Sequence, residues 1–173
     1  LEAQADYLET HSDCGVCYSD LVHFYTDDPE RDYRFDVPHP SGMMLGEILR
    51  TNFINFLSAM MRRELAQQVG FIDRNVPVNE DQFFWIKLAM TGAKFCCLDR
   101  ILGRYRFQRG GSNSRRRSHL RDAADWMLWI YDWVEGRLSE EDRKQYPLDA
   151  YRDSWRFKGF LGHVIDYDRL GAE

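Results

Sequence analysis

Apolar residues crowd the segment 79–92 more densely than any other part of this chain. After two acids, only Gln82, Lys87 and Thr91 interrupt an otherwise apolar surface. That density predicts a mostly buried helix. Asn79 is a candidate N-cap, with Gln82 reaching back in a capping box. Glu80 and Asp81 then occupy the first turn, where the helix dipole favours negative charge. Gly92 is a suitable C′ stop. An acid pair there ordinarily does no more than complement the dipole, so its neighbours decide whether it has a further role.

Elsewhere the pattern alternates between helical and strand periods. Residues 1–10 read as the end of an amphipathic helix with Leu1, Ala5 and Leu8 on one face. Residues 16–25 have a period near two and predict a strand. A long proline-bearing loop is expected over 26–42. A short helix follows at 43–51, a strand near 57–61, and a helix at 63–69 stopped by Gly70. After Gly92 two strands are expected, 94–98 and 101–108, joined by a turn at Asp99 and Arg100. The last third reads as helical. Leu120, Ala123 or Ala124, Met127, Ile130 or Tyr131, and Val134 form one stripe, and Trp126, Trp129 and Trp133 a second. Ser139 starts another helix, which Pro147 interrupts. Residues 148–170 resume it, with Tyr151, Trp155, Leu161 and Ile165 as expected core positions.

The 173 residues carry a net charge of -5, with 44% hydrophobic and 14% aromatic residues. This is a folded chain with enough length for a real core. Its acidity disfavours nucleic acid as a partner, including through Arg115, Arg116 and Arg117, which read as a solvated charge run. No apolar run is long enough to span a bilayer. The four cysteines read as buried free thiols. Cys14 and Cys17, taken as strand residues, are expected to point apart. His23 and His39 show no ligand spacing and read as core or solvated histidines.

Several stretches fall in a fixed order. Leu1-Glu2-Ala3-Gln4 leads to Gly15-Val16-Cys17-Tyr18-Ser19-Asp20. Asn52-Phe53-Ile54 leads to Met60-Met61-Arg62-Arg63-Glu64, and Val69-Gly70-Phe71-Ile72-Asp73 follows. Glu80-Asp81-Gln82-Phe83-Phe84-Trp85-Ile86-Lys87-Leu88-Ala89, with Gly92 behind it, is the most specific. Tyr105-Arg106-Phe107-Gln108 and Ser112-Asn113-Ser114 close the series. Over residues 1–114 this order resembles the second half of a family 2 glycosyltransferase of the GT-A type. Gln108 stands where many relatives carry His.

The resemblance implies an α/β chain with an incomplete GT-A-like fold. A small mixed sheet would carry flanking helices, and residues 115–173 would form a helical C-terminal extension. It implies the acceptor side of an inverting hexosyltransferase, with Asp81 as general base. Asn79, Glu80 and Trp85 would border the acceptor, and Tyr105, Arg106, Gln108 and Ser112 would lie beside the donor diphosphate. The family's metal-binding aspartate pair would precede Leu1. Mn²⁺ or Mg²⁺ therefore belongs to the intact parent, with no metal ligand assigned here and no ion expected on this part, which alone would be inactive. Partners would be a nucleotide sugar and a carbohydrate or lipid-linked acceptor, in cell-envelope polysaccharide synthesis at the cytoplasmic face of a membrane. A sheet without its first strands would expose an edge and favour homo-oligomers. The rival reading is a non-catalytic carbohydrate-binding or protein-interaction module using the tryptophan-rich C-terminal helix.

Overall fold

The structure is a computed structural model. It describes residues 1–35, 37, 39–108 and 119–170, with side chains from 120 to 163 in the last segment. The chain is mixed α/β and forms two compact units. The first comprises Leu1–Arg74 and Glu80–Gly111, the second Asn75–Asn79 and Ser112–Glu173.

The first unit is built on β1, Val16–Tyr25, whose first six residues are all buried. A strand covered on both faces reads as a continuous apolar run, as Val16, Cys17, Tyr18 and Leu21 do here. Antiparallel β3, Ala59–Met61, pairs with its start, and antiparallel β2, Asp28–Tyr33, with its end. β2 lies inside the segment expected to be loop. Its charged, exposed sequence hid a strand that needs only backbone pairing to β1.

Parallel to β1 on its other side runs β4, Phe95–Phe107. This is one strand where two were expected. Asp99 and Arg100 form no turn. They are the surplus residues of a bulge, because Ser19 pairs with Leu98 while Asp20 pairs with Ile101. The register slips again before Leu21, which pairs with Gly103. Bulges bend a strand and re-aim its side chains, and this double slip is centred on Asp20.

A parallel pair needs a long crossover. Here it runs through α2 (Leu45–Arg50), β3, α3 (Arg63–Gln68) and α4 (Glu80–Met90). Seven residues of α4 are buried, as its composition predicts. Gly92 adopts a φ of 80° at its end, a conformation that favours glycine. The capping box does not form. Asn79 has a φ of 59°, and its Nδ2 donates to Ala123 O at 3.1 Å. Gln82 is buried and donates to Ile48 O at 2.8 Å, tying α4 to α2.

α1, Glu2–Thr10, packs through Leu8 and Gln4 while Leu1 is exposed, so the apolar face is rotated from the expected one. Leu8 joins Cys14, Cys17 and Cys96 in one buried cluster. Cys14 precedes β1 and escapes strand alternation, which is why it shares this cluster with Cys17. All four thiols are free. Burial pushes the Cys17 thiol up to about 12 and the Cys14 thiol further still.

That burial predicts loss of stability in alkali. Unfolded thiols ionise near pH 8.5 while the folded ones stay protonated. Below that pH their contribution is flat. Above it the unfolded chain sheds protons that the folded chain keeps, so stability falls as pH rises. For Cys17 alone the slope is about 1.4 kcal/mol per pH unit until the folded value is reached. Urea midpoints at pH 8 and pH 10 are expected to differ accordingly, and equal midpoints would refute the assignment.

The second unit pairs α5, His119–Glu135, with α7, Leu148–Leu170, and α6, Glu140–Arg143, joins them. Ala123, Ala124, Met127, Ile130, Tyr131 and Val134 are buried as expected, but Leu120 is exposed. Ser139 caps α6 by accepting Asp142 N–H at 3.0 Å. The α7 face differs from expectation. Leu148, Arg152, Gly159 and Gly162 are its buried positions among the described side chains, Tyr151 and Trp155 are half-buried, and Leu161 is exposed. The side chain of Ile165 lies outside the described residues. A Cβ at Gly159 would stand 3.0 Å from that of Ala124, so glycine permits a close helix approach that bulk would have prevented. Arg152 bonds Asp132, Glu135 and Asp149.

Candidate functional site

A pocket of about 210 Å³ opens in the first unit. Its walls bring together β1, the segment before α2, the segment 52–58 and the first turn of α4. Asp20, Asp81, His23 and His39 are its titratable lining residues, alongside Asn52, Asn55 and Ser58. Phe35 and Phe53 supply apolar walls.

Asp20 is 7% exposed and held from three sides. Its Oδ1 accepts Leu21 N–H at 2.8 Å and lies 3.4 Å from His39 Nε2. Its Oδ2 accepts from Arg34 Nε at 2.5 Å. A buried carboxylate is stable only when paired and hydrogen-bonded, and these partners do both. The His39 segment is fixed in turn, since the buried Tyr18 hydroxyl donates to Pro40 O.

Asp81 is half-buried. Its Oδ1 accepts Gln82 N–H at 2.7 Å, which orients the carboxylate from within its own helix turn. His23 packs between Phe35 and Phe107, with ring centroids at 4.6 Å and 4.9 Å. Burial lowers its pKa below the ordinary value, so the ring is neutral at pH 7. Its Nδ1 is buried without a hydrogen-bond partner among the described residues.

The wall at 52–58 is braced from behind. Trp85 Nε1 donates to Ile54 O at 3.1 Å, and Gln4 Nε2 to Ser58 O at 2.8 Å. Asn55 caps the short 3₁₀ turn Phe56–Ser58 by accepting Leu57 N–H at 2.9 Å.

Searched by sequence, the chain matches no protein-family model and no curated protein significantly. The site therefore rests on its own geometry.

Of the residues singled out from the sequence, Asp81 lines the pocket. Glu80 is exposed outside it, and Asn79 spends its amide on Ala123. Trp85 is no wall of the cavity. It is fully buried and stacks on Phe56 at 4.7 Å, acting on the site only through Ile54. Tyr105 packs against His23 at 5.5 Å, one layer behind the pocket. Arg106 and Gln108 are exposed and line no part of it. Ser112 and Arg115, Arg116 and Arg117 lie outside the described residues.

Asp20, His23 and His39 are the members that sequence reasoning missed. His23 lies three residues after Asp20 on β1, whereas His39 and Asp81 come from later segments that only the tertiary structure brings to the same pocket. Asp20 did leave a signal, since an acid inside an otherwise apolar strand needs a local reason.

Among the described residues, no group of three or more His, Cys, Asp or Glu side chains is placed to hold a metal ion. Also among the described residues, no helix is long and apolar enough to cross a membrane. In the second unit, Trp126 and Trp129 meet at 73° in a T-shape. Trp133 is covered by Arg137 at 4.0 Å. These indoles do not form one flat stacking surface.

Proposed function

We propose that the first unit is the acceptor side of an inverting, GT-A-like glycosyltransferase, with Asp81 as the general base. The observation that carries this reading is that Asp81, at the first turn of a buried helix, opens onto a polar pocket shared with Asp20, His39 and two asparagines. Most first-turn acids face solvent. This one faces a concavity with convergent polar groups, the usual setting of a binding site.

The chemistry follows from that placement. An acceptor hydroxyl bound against Asp81 attacks the anomeric carbon of a nucleotide sugar. The new C–O bond forms as the bond to the diphosphate oxygen breaks. The hydroxyl proton passes to the Asp81 carboxylate, and the diphosphate departs on the opposite face with its electron pair. The carboxylate must lie within about 2.6–3.2 Å of the hydroxyl, directly or through one water. A divalent metal, where the full polypeptide holds one, would offset charge on the departing diphosphate, and no residue of this chain is assigned to it.

The test is transfer by the full polypeptide that contains this chain. Nucleotide sugars are supplied with glycoside acceptors. Diphosphonucleoside release and the anomeric configuration of the product are read by NMR. An inverted linkage is expected, and a retained configuration would overturn the mechanism.

A further inference from the structure

The pocket holds more than a base needs, and its composition restricts what it can accept. Among the described residues, its lining has two carboxylates and no lysine or arginine. Arg34 reaches Asp20 but is committed to Asp20 Oδ2 at 2.5 Å and lines no part of the cavity. His23 is held neutral by burial. An incoming carboxylate or phosphate would meet Asp81 with no lysine or arginine of the described lining to offset the repulsion. Like charges brought together in a secluded site are strongly disfavoured.

Size and shape narrow the ligand further. At about 210 Å³ the cavity is smaller than the roughly 300–1,000 Å³ that takes a drug-sized molecule. One six-membered ring suits it better than a chain of them. Phe35 and Phe53 offer apolar surface, while Asn52, Asn55, Ser58 and His39 offer donors and acceptors. That mixture matches a pyranose, which has apolar C–H faces and a rim of hydroxyls.

Resting on the transferase reading above, we infer that the pocket selects an uncharged pyranose as acceptor and that Asp20 is the residue that anchors it. Asp20 is built for rigidity. Leu21 N–H, Arg34 and His39 occupy three positions on a carboxylate that offers about four lone-pair sites. The remaining site can take one ligand hydroxyl in a fixed direction. Asp20 lies on β1 opposite the surplus residues of β4. Division of labour follows. Asp20, clamped, holds the ring, and Asp81, whose carboxylate accepts Gln82 N–H within its own helix turn, takes the proton.

Titration of the 173-residue chain with methyl glucopyranoside and with methyl glucuronopyranoside, followed by ¹⁵N NMR, tests the selection without any variant. The neutral glycoside is expected to shift resonances of β1 and the first turn of α4, and the uronate to bind at least tenfold more weakly. Equal or tighter uronate binding overturns the inference. Asp20→Asn, which keeps the side-chain shape, is expected to raise the Kd of the neutral glycoside at least tenfold, with an otherwise retained spectrum. In the full polypeptide it raises the acceptor KM more than it lowers kcat. If Asp81→Asn abolishes transfer while Asp20→Asn leaves the acceptor KM unchanged, the anchor is refuted and the transferase reading stands. If no glycoside binds and no sugar is transferred, both are refuted.

Discussion

Asp81→Asn is expected to lower kcat for sugar transfer by about 10²–10⁴-fold, the usual contribution of a general base. The full polypeptide containing this chain is the material for the assay. Asparagine is nearly isosteric, and its amide oxygen can still accept Gln82 N–H, the bond that orients the carboxylate at 2.7 Å. Helix and pocket should therefore survive. What is lost is the ability to take a proton from the attacking hydroxyl. Acceptor KM should change little, because Asp20 and the amide lining remain. A variant that keeps wild-type kcat would remove Asp81 from the chemistry, whatever its position. A variant with unchanged near-ultraviolet circular dichroism and a collapsed kcat would locate the loss in the reaction rather than the fold.

Trp85→Ala is expected to destabilise the first unit by about 3–5 kcal/mol, the range for emptying a large aromatic site. Trp85 is 0% exposed, so the transfer loss and the cavity both count in full. Its indole also stacks on Phe56 and meets Phe84, with centroids at 4.7 Å and 5.4 Å. Removing Nε1–H strands Ile54 O, whose bond at 3.1 Å pins one pocket wall. Against a typical total stability of about 5–15 kcal/mol, such a loss approaches unfolding. Trp85→Phe restores most of the volume but not the hydrogen bond. It should cost about 1–3 kcal/mol for the stranded carbonyl. Urea unfolding of both variants measures the two parts separately. A loss below about 1 kcal/mol in Trp85→Ala would contradict the core placement.

The same tryptophan shows how far local pattern reaches. Its place four residues after Asp81 suggested a wall for the acceptor. The spacing was right, since one helical turn separates them. The direction was not, because helix periodicity says which residues share a face but not which face meets a cavity. Gln82 failed in a related way. A glutamine three places after an asparagine looks like a cap, yet Ile48 O offered a buried partner on another helix. Asn79, in a left-handed conformation, had already turned to Ala123.

Continuous strands were also hard to read from composition. β4 carries Asp99, Arg100, Arg104 and Arg106 along its length and reads as broken. It stays whole because backbone pairing to β1 tolerates surplus residues as a bulge. Charged β2 was hidden for the same reason. Backbone hydrogen bonds are indifferent to the side chains that a sequence pattern counts.

By itself, the sequence determined that α4 would be a buried helix opening on an acid pair and closing at Gly92, that β1 would be a strand, and that α5 would carry an apolar stripe. These are local properties, set by residue type and period over a few turns. Only the tertiary structure decided that Asp81 rather than Glu80 faces a pocket, that Asp20 and His39 meet beside it, and that Cys14 joins Cys17. Each of those depends on register, bulge position and helix rotation, which are settled by packing between segments far apart in the chain.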